Sequence, residues 1–386
     1  MKKQLVTALA AAMTVGLAGT AAAEDGGPEI TFGASTSFAY DIARPPDQGA
    51  NPNNTGIGNG STLNSISYAS WEQDRSFNID LIQLGITGTR GRASYGAKLD
   101  FGDLAKLAGD SFDGDIALQE GWIGYDMDFL GLTAGRFGTP IGYEVVEPWG
   151  RSNISTSYAW GLQPVNHDGL KLHGSAAGID MMIGVVNGFT VADDPIEYVA
   201  NPTGQLPAND TDDEKGVIGS IGGAPFEFLN WYVSGIYTEL ADTQDTSMVN
   251  AIISGAVQPG NYGLTYAIEG QWREDANALV TLGQRDLESW SIAAYLGTNI
   301  GATSLDLRFE YVDDGGILTS RQGIGDGGAD LWEITATASW ALVDGVDFRV
   351  EYRHNDANRD IFGDSRNQNT DTQDVIQAQL VWYPEL

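Results

Sequence analysis

The feature that most constrains this chain is the alternation of apolar and polar residues along many of its segments. In a β-strand, neighbouring side chains point to opposite faces, so each such segment has one apolar and one polar face. The clearest segments are residues 264–273, 305–311, 332–340 and 346–353. Soluble antiparallel sheets alternate as well, so the pattern predicts strands without identifying their solvent.

Three further features indicate that the strands cross a bilayer. Many segments run to about ten residues, the length that a tilted strand needs to span a membrane. Aromatic residues recur near segment ends, as in the interfacial girdles of barrels, at Trp231, Trp272, Trp290, Trp332, Trp340 and Trp382. Short turns alternate with long polar links at residues 43–74, 104–115, 139–164, 189–214, 240–246, 274–287, 313–328 and 355–371. We therefore predict an all-β transmembrane antiparallel up-and-down β-barrel of about 16 strands, with short periplasmic turns and long extracellular loops.

The alternation is irregular in two segments, and the first and last strands are candidates for closing the barrel. Between residues 77 and 86 the apolar positions change phase, which indicates a β-bulge or a shifted strand, and residues 181–186 are apolar on both faces. We expect the last strand, 374–386, to pair with the first, 30–42, so that no strand edge is exposed. Outer-membrane proteins usually end in Phe, whereas this chain ends in Leu386.

The N-terminus has the pattern of a secretory signal peptide. Lys2 and Lys3 precede an apolar, Ala-rich run, and small residues precede Glu24. The alternative, a transmembrane helix, needs a longer apolar run of about 18–20 residues. We expect residues 1–23 to be cleaved and residues 24–386 to form one barrel domain.

The amino-acid composition limits the classes of partner that the chain can bind. The chain has no Cys, which excludes disulfides and Cys-ligated metals, and its formal net charge is −32. Such a field repels nucleic acid and favours cations, so we expect no nucleic-acid partner. Proteins of saline habitats are also acidic, and this alternative to a functional cation preference stays open.

A barrel of about sixteen strands leaves an aqueous interior, and charged residues on the polar face are candidates for its lining. These candidates are Lys98, Asp100, Lys171, His173, Glu269, Arg273, Asp306, Arg308, Glu310, Glu333, Asp347, Arg349, Glu351 and Arg353. Acidic and basic members lie on neighbouring strands, so a transverse field that orients dipolar solutes is one reading. In the other reading, the charges keep the interior wet and pair with each other.

Four motifs between residues 132 and 188 resemble a known family. Residues 132–144 read LTAGRFGTPIGYE, 153–158 NISTSY, 164–169 PVNHDG and 184–188 GVVNG. Together they resemble the putative beta-barrel porin-2 (OmpL-like) family of bacterial outer-membrane porins. The resemblance implies an outer-membrane porin, and it brings no established substrate and no catalytic residues. We expect no cofactor.

By analogy with other porins, the 139–164 link is a candidate for a loop that folds into the barrel and narrows it. Tyr143, Glu144, Glu147 and Arg151 are then candidate constriction residues. The alternative is a loop that packs outside the barrel or over its mouth. The same analogy predicts a homotrimer in contact with outer-membrane lipid and lipopolysaccharide.

We therefore expect passive diffusion of small hydrophilic solutes or ions, with mild cation selectivity. A plugged structural or adhesive barrel is the main alternative. An outer-membrane enzyme is less favoured, because His167, His173 and His354 are the only histidines and His173 is expected to point inward. Acidic clusters at 210–214 and 313–314 lack the pattern of a calcium loop, so we expect solvated loops and no metal site.

Overall fold

The alternating segments become strands whose two faces meet different surroundings. A computed structural model describes residues 27–42, 77–108, 116–189, 215–226, 228–241, 244–258, 263–280, 283–321, 327–363 and 369–383. Within these ranges, Leu307 and Phe309 face outward and are 47% and 48% exposed, whereas Arg308 and Glu310 between them face the interior and are 0% exposed. An apolar outer and a polar inner surface suit a wall between lipid and a wet interior.

Sixteen strands in the described part of the chain form one closed antiparallel barrel. They are β1 (Glu29–Asp41), β2 (Phe77–Arg90), β3 (Ala93–Phe101), β4 (Ile116–Asp126), β5 (Gly131–Gly138), β6 (Asn166–Ala176), β7 (Ile179–Val186), β8 (Gly216–Phe226), β9 (Leu229–Ala241), β10 (Gln244–Val257), β11 (Leu264–Val280), β12 (Gly283–Ile300), β13 (Thr303–Asp314), β14 (Ala329–Val343), β15 (Val346–Ala357) and β16 (Thr372–Trp382). Each strand pairs with its neighbours in the chain, and β16 also pairs with β1, with Phe38 opposite Ala378. The predicted fold and the predicted closure of the last strand on the first are confirmed.

The predicted irregularity near the start of β2 is a β-bulge. Ser35 of β1 lies opposite Leu81, but the next residue, Thr36, lies opposite Ile79, so Asp80 occupies an extra position. The Asp80 carboxylate points inward and accepts hydrogen bonds from the hydroxyls of Ser35, at 2.7 Å, and Ser37, at 2.5 Å. The bulge thus explains the phase change in the sequence.

Two predicted long links are wrong. Residues 240–246 and 274–287 are polar, but β9 and β10 are separated only by positions 242–243, and β11 and β12 only by 281–282. The ladder continues through the polar residues, with Glu274 paired to Glu288. Polar strands are stable there because a ladder that extends beyond the apolar band needs no apolar face.

Three of the remaining links carry short helices: 3-10 turns at Asp103–Ala108 and Pro148–Gly150, α1 (Tyr158–Leu162) and α2 (Ile317–Arg321). The 355–371 link instead carries a small two-stranded sheet of Phe362–Gly363 and Asn369–Thr370. None of the helices in the described ranges is long and apolar enough to cross a bilayer. The expected signal peptide, the 43–74 link and almost all of the 189–214 link lie outside the described residues.

Gly135 of β5 is one position where the backbone requires glycine. Its φ is +120°, and a Cβ there would overlap the carbonyl oxygen of Gly121 on β4. We expect Gly135→Ala to lower the free energy of unfolding by about 1–3 kcal/mol. Gly270→Ala is the control, because a Cβ there meets nothing within 4 Å. Urea unfolding of the refolded barrels measures both, and equal losses would contradict the argument.

Candidate functional site

The segment between β5 and β6, residues 139–165, lies inside the barrel, and we call it the inner loop. It reaches strands on the far side of the interior. The backbone N–H of Tyr143 donates to Glu269 of β11 at 2.8 Å, and that of Ile154 donates to Glu351 of β15 at 2.6 Å. Most of its residues from Arg151 to Pro164 are buried. The inner loop therefore occupies space that an open barrel would leave to water.

Two wall carboxylates each hold a pair of successive loop N–H groups. Glu351 accepts from Ile154 and Ser155 at 2.6 and 2.9 Å, and Glu310 of β13 accepts from Tyr158 and Ala159 at 2.6 Å each. Both carboxylates are at most 1% exposed. Hydrogen bonds to an ionised acceptor are among the stronger ones in proteins, more so where water is excluded. These two residues form the carboxylate clamp of the inner loop.

Arg308 of β13 connects the loop to the wall through its guanidinium. Nε lies 2.5 Å from Glu333 of β14, and Nη1 lies 2.7 Å from Glu144 of the loop. The same group donates to the carbonyl oxygens of Ser155 and Thr156 at 2.7 and 3.2 Å. Arg308 is fully buried, so its charge depends on these partners for compensation.

Three further arginines hold loop carbonyls. Arg353 of β15 donates to Thr156, Arg349 of β15 donates to Pro148 and Arg151, and Arg273 of β11 donates to Leu162. Fixed guanidinium donors thus satisfy carbonyls that have no strand partner. Side chains of β11–β15 thus supply hydrogen-bond partners for the loop backbone.

Glu147 of the inner loop contacts the wall opposite β11–β15. Its Oε1 is 3.0 Å from Nζ of Lys98 on β3 and accepts from the amides of Gln83 and Gln119 at 3.3 and 3.4 Å. Lys98 also contacts Glu120 of β4 at 2.7 Å. Burial alone would raise the pKa of Glu147, but the attraction of the Lys98 ammonium holds it below its usual range. Glu147 is therefore a paired carboxylate at neutral pH.

Tyr143 and Arg151 complete the four candidate constriction residues. The Tyr143 ring lies 4.5 Å from that of Tyr295 on β12, and burial raises the pKa of the Tyr143 phenol. Arg151 is 4% exposed, and its three guanidinium nitrogens lack a hydrogen-bond partner in the described part of the chain. Burial lowers the pKa of Arg151 to about 10. Tyr143, Glu144, Glu147 and Arg151 are thus spread over the loop, and a constriction role for them stays a prediction.

The candidate lining residues all occupy inward positions of their strands, but most are covered. Asp100, Lys171, Glu269, Arg273, Arg308, Glu310, Glu333, Arg349, Glu351 and Arg353 are buried, and Lys98, His173, Asp306 and Asp347 are partly exposed. Most of the buried ones bind the inner loop or each other. That they line a conducting path stays a prediction.

Several partners of the loop were absent from the sequence-based candidates. Gln83 and Gln119 contact Glu147, and Thr337 donates to the clamp residue Glu351 at 2.7 Å. Alternation with apolar neighbours placed these residues on the polar face. Because they are uncharged, nothing else in the sequence distinguished them from other polar residues of that face. Backbone N–H groups, which make the clamp, carry no sequence signal at all.

Open space remains between the inner loop and the wall formed by β6–β10. A cavity that is open to solvent lies there. Its polar lining includes Lys171, Asp180, Ser220, Tyr232, Ser254 and, from the loop, Glu147 and Gln163. Within the described residues, no ion pair of Lys171 is found, and its ammonium lies 4.5 Å from the centre of the Phe137 ring. This wall is less charged than the wall beneath the loop.

Apolar side chains fill the interior at the end of the barrel where the inner loop begins. Ile141 and Leu162 of the loop belong to one buried cluster with Val186, Ile218 and Ile236 of β7–β9. Each of these five residues is at most 4% exposed. Ile141 also lines the cavity, so the cluster adjoins the cavity along the wall from β7 to β9.

The expected absence of a metal site stays a prediction. Among the described residues, no group of three or more His, Cys, Asp or Glu is placed to hold an ion. Asp313 points outward and accepts from Trp290, whereas Asp314 points inward and accepts from Ser289 and from the backbone of α2. The cluster at 210–214 lies outside the described residues.

Comparisons with known proteins agree with this geometry. The trimer form of the outer-membrane protein OmpT of Vibrio cholerae aligns with a TM-score of 0.55 and 11% identity, over 93% of this chain and 100% of that one. The outer-membrane channel DcaP of Acinetobacter baumannii aligns at 0.54 and 9%, over 92% and 97%. An anion-selective porin from Comamonas acidovorans aligns at 0.52 and 11%, over 92% and 99%. At these identities the likeness concerns the fold alone, and no curated protein matches the sequence.

The sequence itself carries the family assignment. The profile of the family described as "Putative beta-barrel porin-2, OmpL-like" matches residues 36–382, which spans nearly the whole barrel. The resemblance of residues 132–188 is thereby confirmed and extended, and the location is the bacterial outer membrane. The chain belongs to the OmpL-like porin-2 family of outer-membrane β-barrels.

Proposed function

We propose that this chain is a passive channel for small hydrophilic solutes or ions with a mild preference for cations. The observation that carries the proposal is the cavity between the inner loop and β6–β10, which gives a barrel of porin type a polar space beside its loop. The net charge of −32 supports the cation preference, because an acidic protein raises the local cation concentration.

The proposal includes the processing and the partners of the chain. Residues 1–23 are a cleaved signal peptide, and residues 24–386 are the barrel. The channel lies in outer-membrane lipid beside lipopolysaccharide, forms a homotrimer and performs no enzymatic reaction. The trimer form of the Vibrio cholerae neighbour supports the oligomer.

One observation favours a second candidate, a plugged barrel with a structural or adhesive role. The buried cluster of Ile141, Leu162, Val186, Ile218 and Ile236 packs apolar side chains between the inner loop and β7–β9. An apolar constriction can also gate a pore by dewetting, so the cluster is compatible with a channel that opens. Conductance distinguishes the two candidates.

The test is single-channel recording of the refolded protein in planar bilayers under a KCl gradient. Ohmic steps with a cation-side reversal potential support the proposal. A folded, inserted barrel that passes no current would contradict it and favour the plugged candidate.

Glu147→Gln tests the origin of the cation preference. Glu147 lines the cavity and shares Lys98 with Glu120, so its replacement removes one negative charge beside the path and leaves Lys98 paired with Glu120 alone. We expect the ratio of cation to anion permeability to fall about twofold or more, since a charge in a low-dielectric wall acts strongly on passing ions. Glu274→Gln, on the outward face of β11, is the control for equal loss of charge. Unchanged reversal potentials in Glu147→Gln would refute this placement of the selectivity.

A further inference from the structure

Lys171 of β6 is a buried cation beside the cavity, and we call it the cavity lysine. Of the described residues that line the cavity, it is the only Lys or Arg. It is 6% exposed, and its ammonium lies 4.5 Å from the centre of the Phe137 ring, a contact that leaves its charge uncompensated. A buried charge without a counter-charge is costly, so this position favours an anion that enters the cavity.

Three carboxylates of the cavity lining are held by other cations. Glu120 and Glu147 lie 2.7 and 3.0 Å from the ammonium of Lys98 on β3. Glu144 lies 2.7 Å from the guanidinium of Arg308. These carboxylates compensate charges elsewhere in the barrel, so the ammonium of the cavity lysine stays available to a solute.

Asp180 of β7 is the fourth carboxylate of the lining, and it lies well away from the cavity lysine. It accepts a hydrogen bond from the hydroxyl of Ser175, its partner in the ladder. Ser175 follows the cavity lysine by four positions on β6, which corresponds to about 13 Å along the strand. The negative charge of Asp180 repels an anion and so favours its approach to the cavity lysine.

Much of the remaining lining is apolar or aromatic. It includes Ile141, Tyr143 and Trp160 of the inner loop, Met182 of β7 and Ile252 of β10. Cavities of this kind, with a few placed polar groups, are typical of small-molecule sites. An inorganic anion would leave this surface uncovered, whereas a carboxylate with an apolar body would cover part of it and supply the missing charge.

We infer that the cavity binds small organic acids that combine one carboxylate with an apolar body, and that the Lys171 ammonium holds the carboxylate. The inference rests on the proposed channel and names the class of solute that its path recognises. A cation preference in KCl is compatible with such a site, because one ammonium does not reverse a net charge of −32.

Isothermal titration of the refolded protein in detergent micelles tests the site with three probes. Benzoate has the charge and the ring, benzyl alcohol lacks the charge, and acetate lacks the ring. Lys171→Gln removes the ammonium, and Lys171→Arg keeps a positive charge. Lys215→Gln, at an exposed position outside the cavity lining, is the control for equal loss of charge. Heat-modifiable migration in gels confirms that each variant forms a barrel.

We expect the unchanged protein and Lys215→Gln to bind benzoate about tenfold more tightly than benzyl alcohol or acetate, since only benzoate makes both contacts. Lys171→Gln is expected to lose this preference, and Lys171→Arg to keep most of it. Equal affinity of the unchanged protein for benzoate and benzyl alcohol would overturn the inference, and so would unchanged benzoate binding in Lys171→Gln.

Single-channel recording of the same preparations tests the channel separately. A protein that conducts but does not prefer benzoate disproves only the site. A protein that binds benzoate through Lys171 but passes no current disproves only the channel.

Discussion

Replacing both clamp residues, Glu310→Ala with Glu351→Ala, is expected to raise the single-channel conductance several-fold and to make the current noisy. Four backbone N–H groups of the inner loop lose their carboxylate acceptors, which lie at 2.6–2.9 Å. Each lost charge-assisted hydrogen bond removes about 1.5–3 kcal/mol of support. The loop then leaves the wall for part of the time, and the interior widens.

The control for this variant is Glu274→Ala with Glu288→Ala, which removes two carboxylates of the same type from the outward face. We expect its conductance to match that of the unchanged protein. Heat-modifiable migration in gels confirms that both double variants still form barrels. If the clamp variant folds and conducts like the unchanged protein, the clamp does not hold the loop.

Replacing Arg308 with Met is expected to lower the free energy of unfolding by about 3–5 kcal/mol. Glu144 and Glu333 would each lose their contact with the guanidinium, at 2.7 and 2.5 Å, and stay buried with less charge compensation. Urea unfolding in detergent micelles measures the loss. Arg308→Lys is expected to lose less stability than Arg308→Met, because lysine keeps the positive charge. Some loss remains, since lysine lacks the planar guanidinium that reaches both carboxylates and the loop carbonyls.

A charge-matched rescue separates this explanation from simple loss of packing. Adding Glu144→Gln and Glu333→Gln to Arg308→Met removes the uncompensated charges, so we expect it to recover about half of the lost stability. A triple variant less stable than Arg308→Met alone would show that packing around the long side chain is the larger contribution.

Much of the barrel could be predicted, because neighbouring residues in a strand point to opposite faces and therefore alternate in polarity. In β13, Leu307 and Phe309 alternate with Arg308 and Glu310, and the structure places the two sets on opposite sides of the wall. The phase change near Asp80 likewise predicted its bulge. The ends of strands were harder to predict. The polar sequence around Glu274 and Glu288 indicated a loop, but the two residues pair in a ladder above the apolar band.

The inner loop marks the limit of what could be predicted. Its acidic residues and its resemblance to porin loops made Glu144 and Glu147 candidates, but their partners are Arg308 and Lys98 on opposite walls. The clamp joins Ser155 to Glu351, residues that are 196 positions apart, through a backbone N–H. No local pattern encodes such a contact, because only the closed barrel sets the distance between them.

The sequence by itself determined the strand period, the two faces of the wall and the family, since each depends on neighbouring residues or on a linear motif. Tertiary structure alone decided that charged residues on β11–β15 lie under the inner loop and that the cavity lies along β6–β10. These features depend on which strands become neighbours around the ring and on how the loop folds back across it, and both are set by ladder register and packing over long stretches of chain.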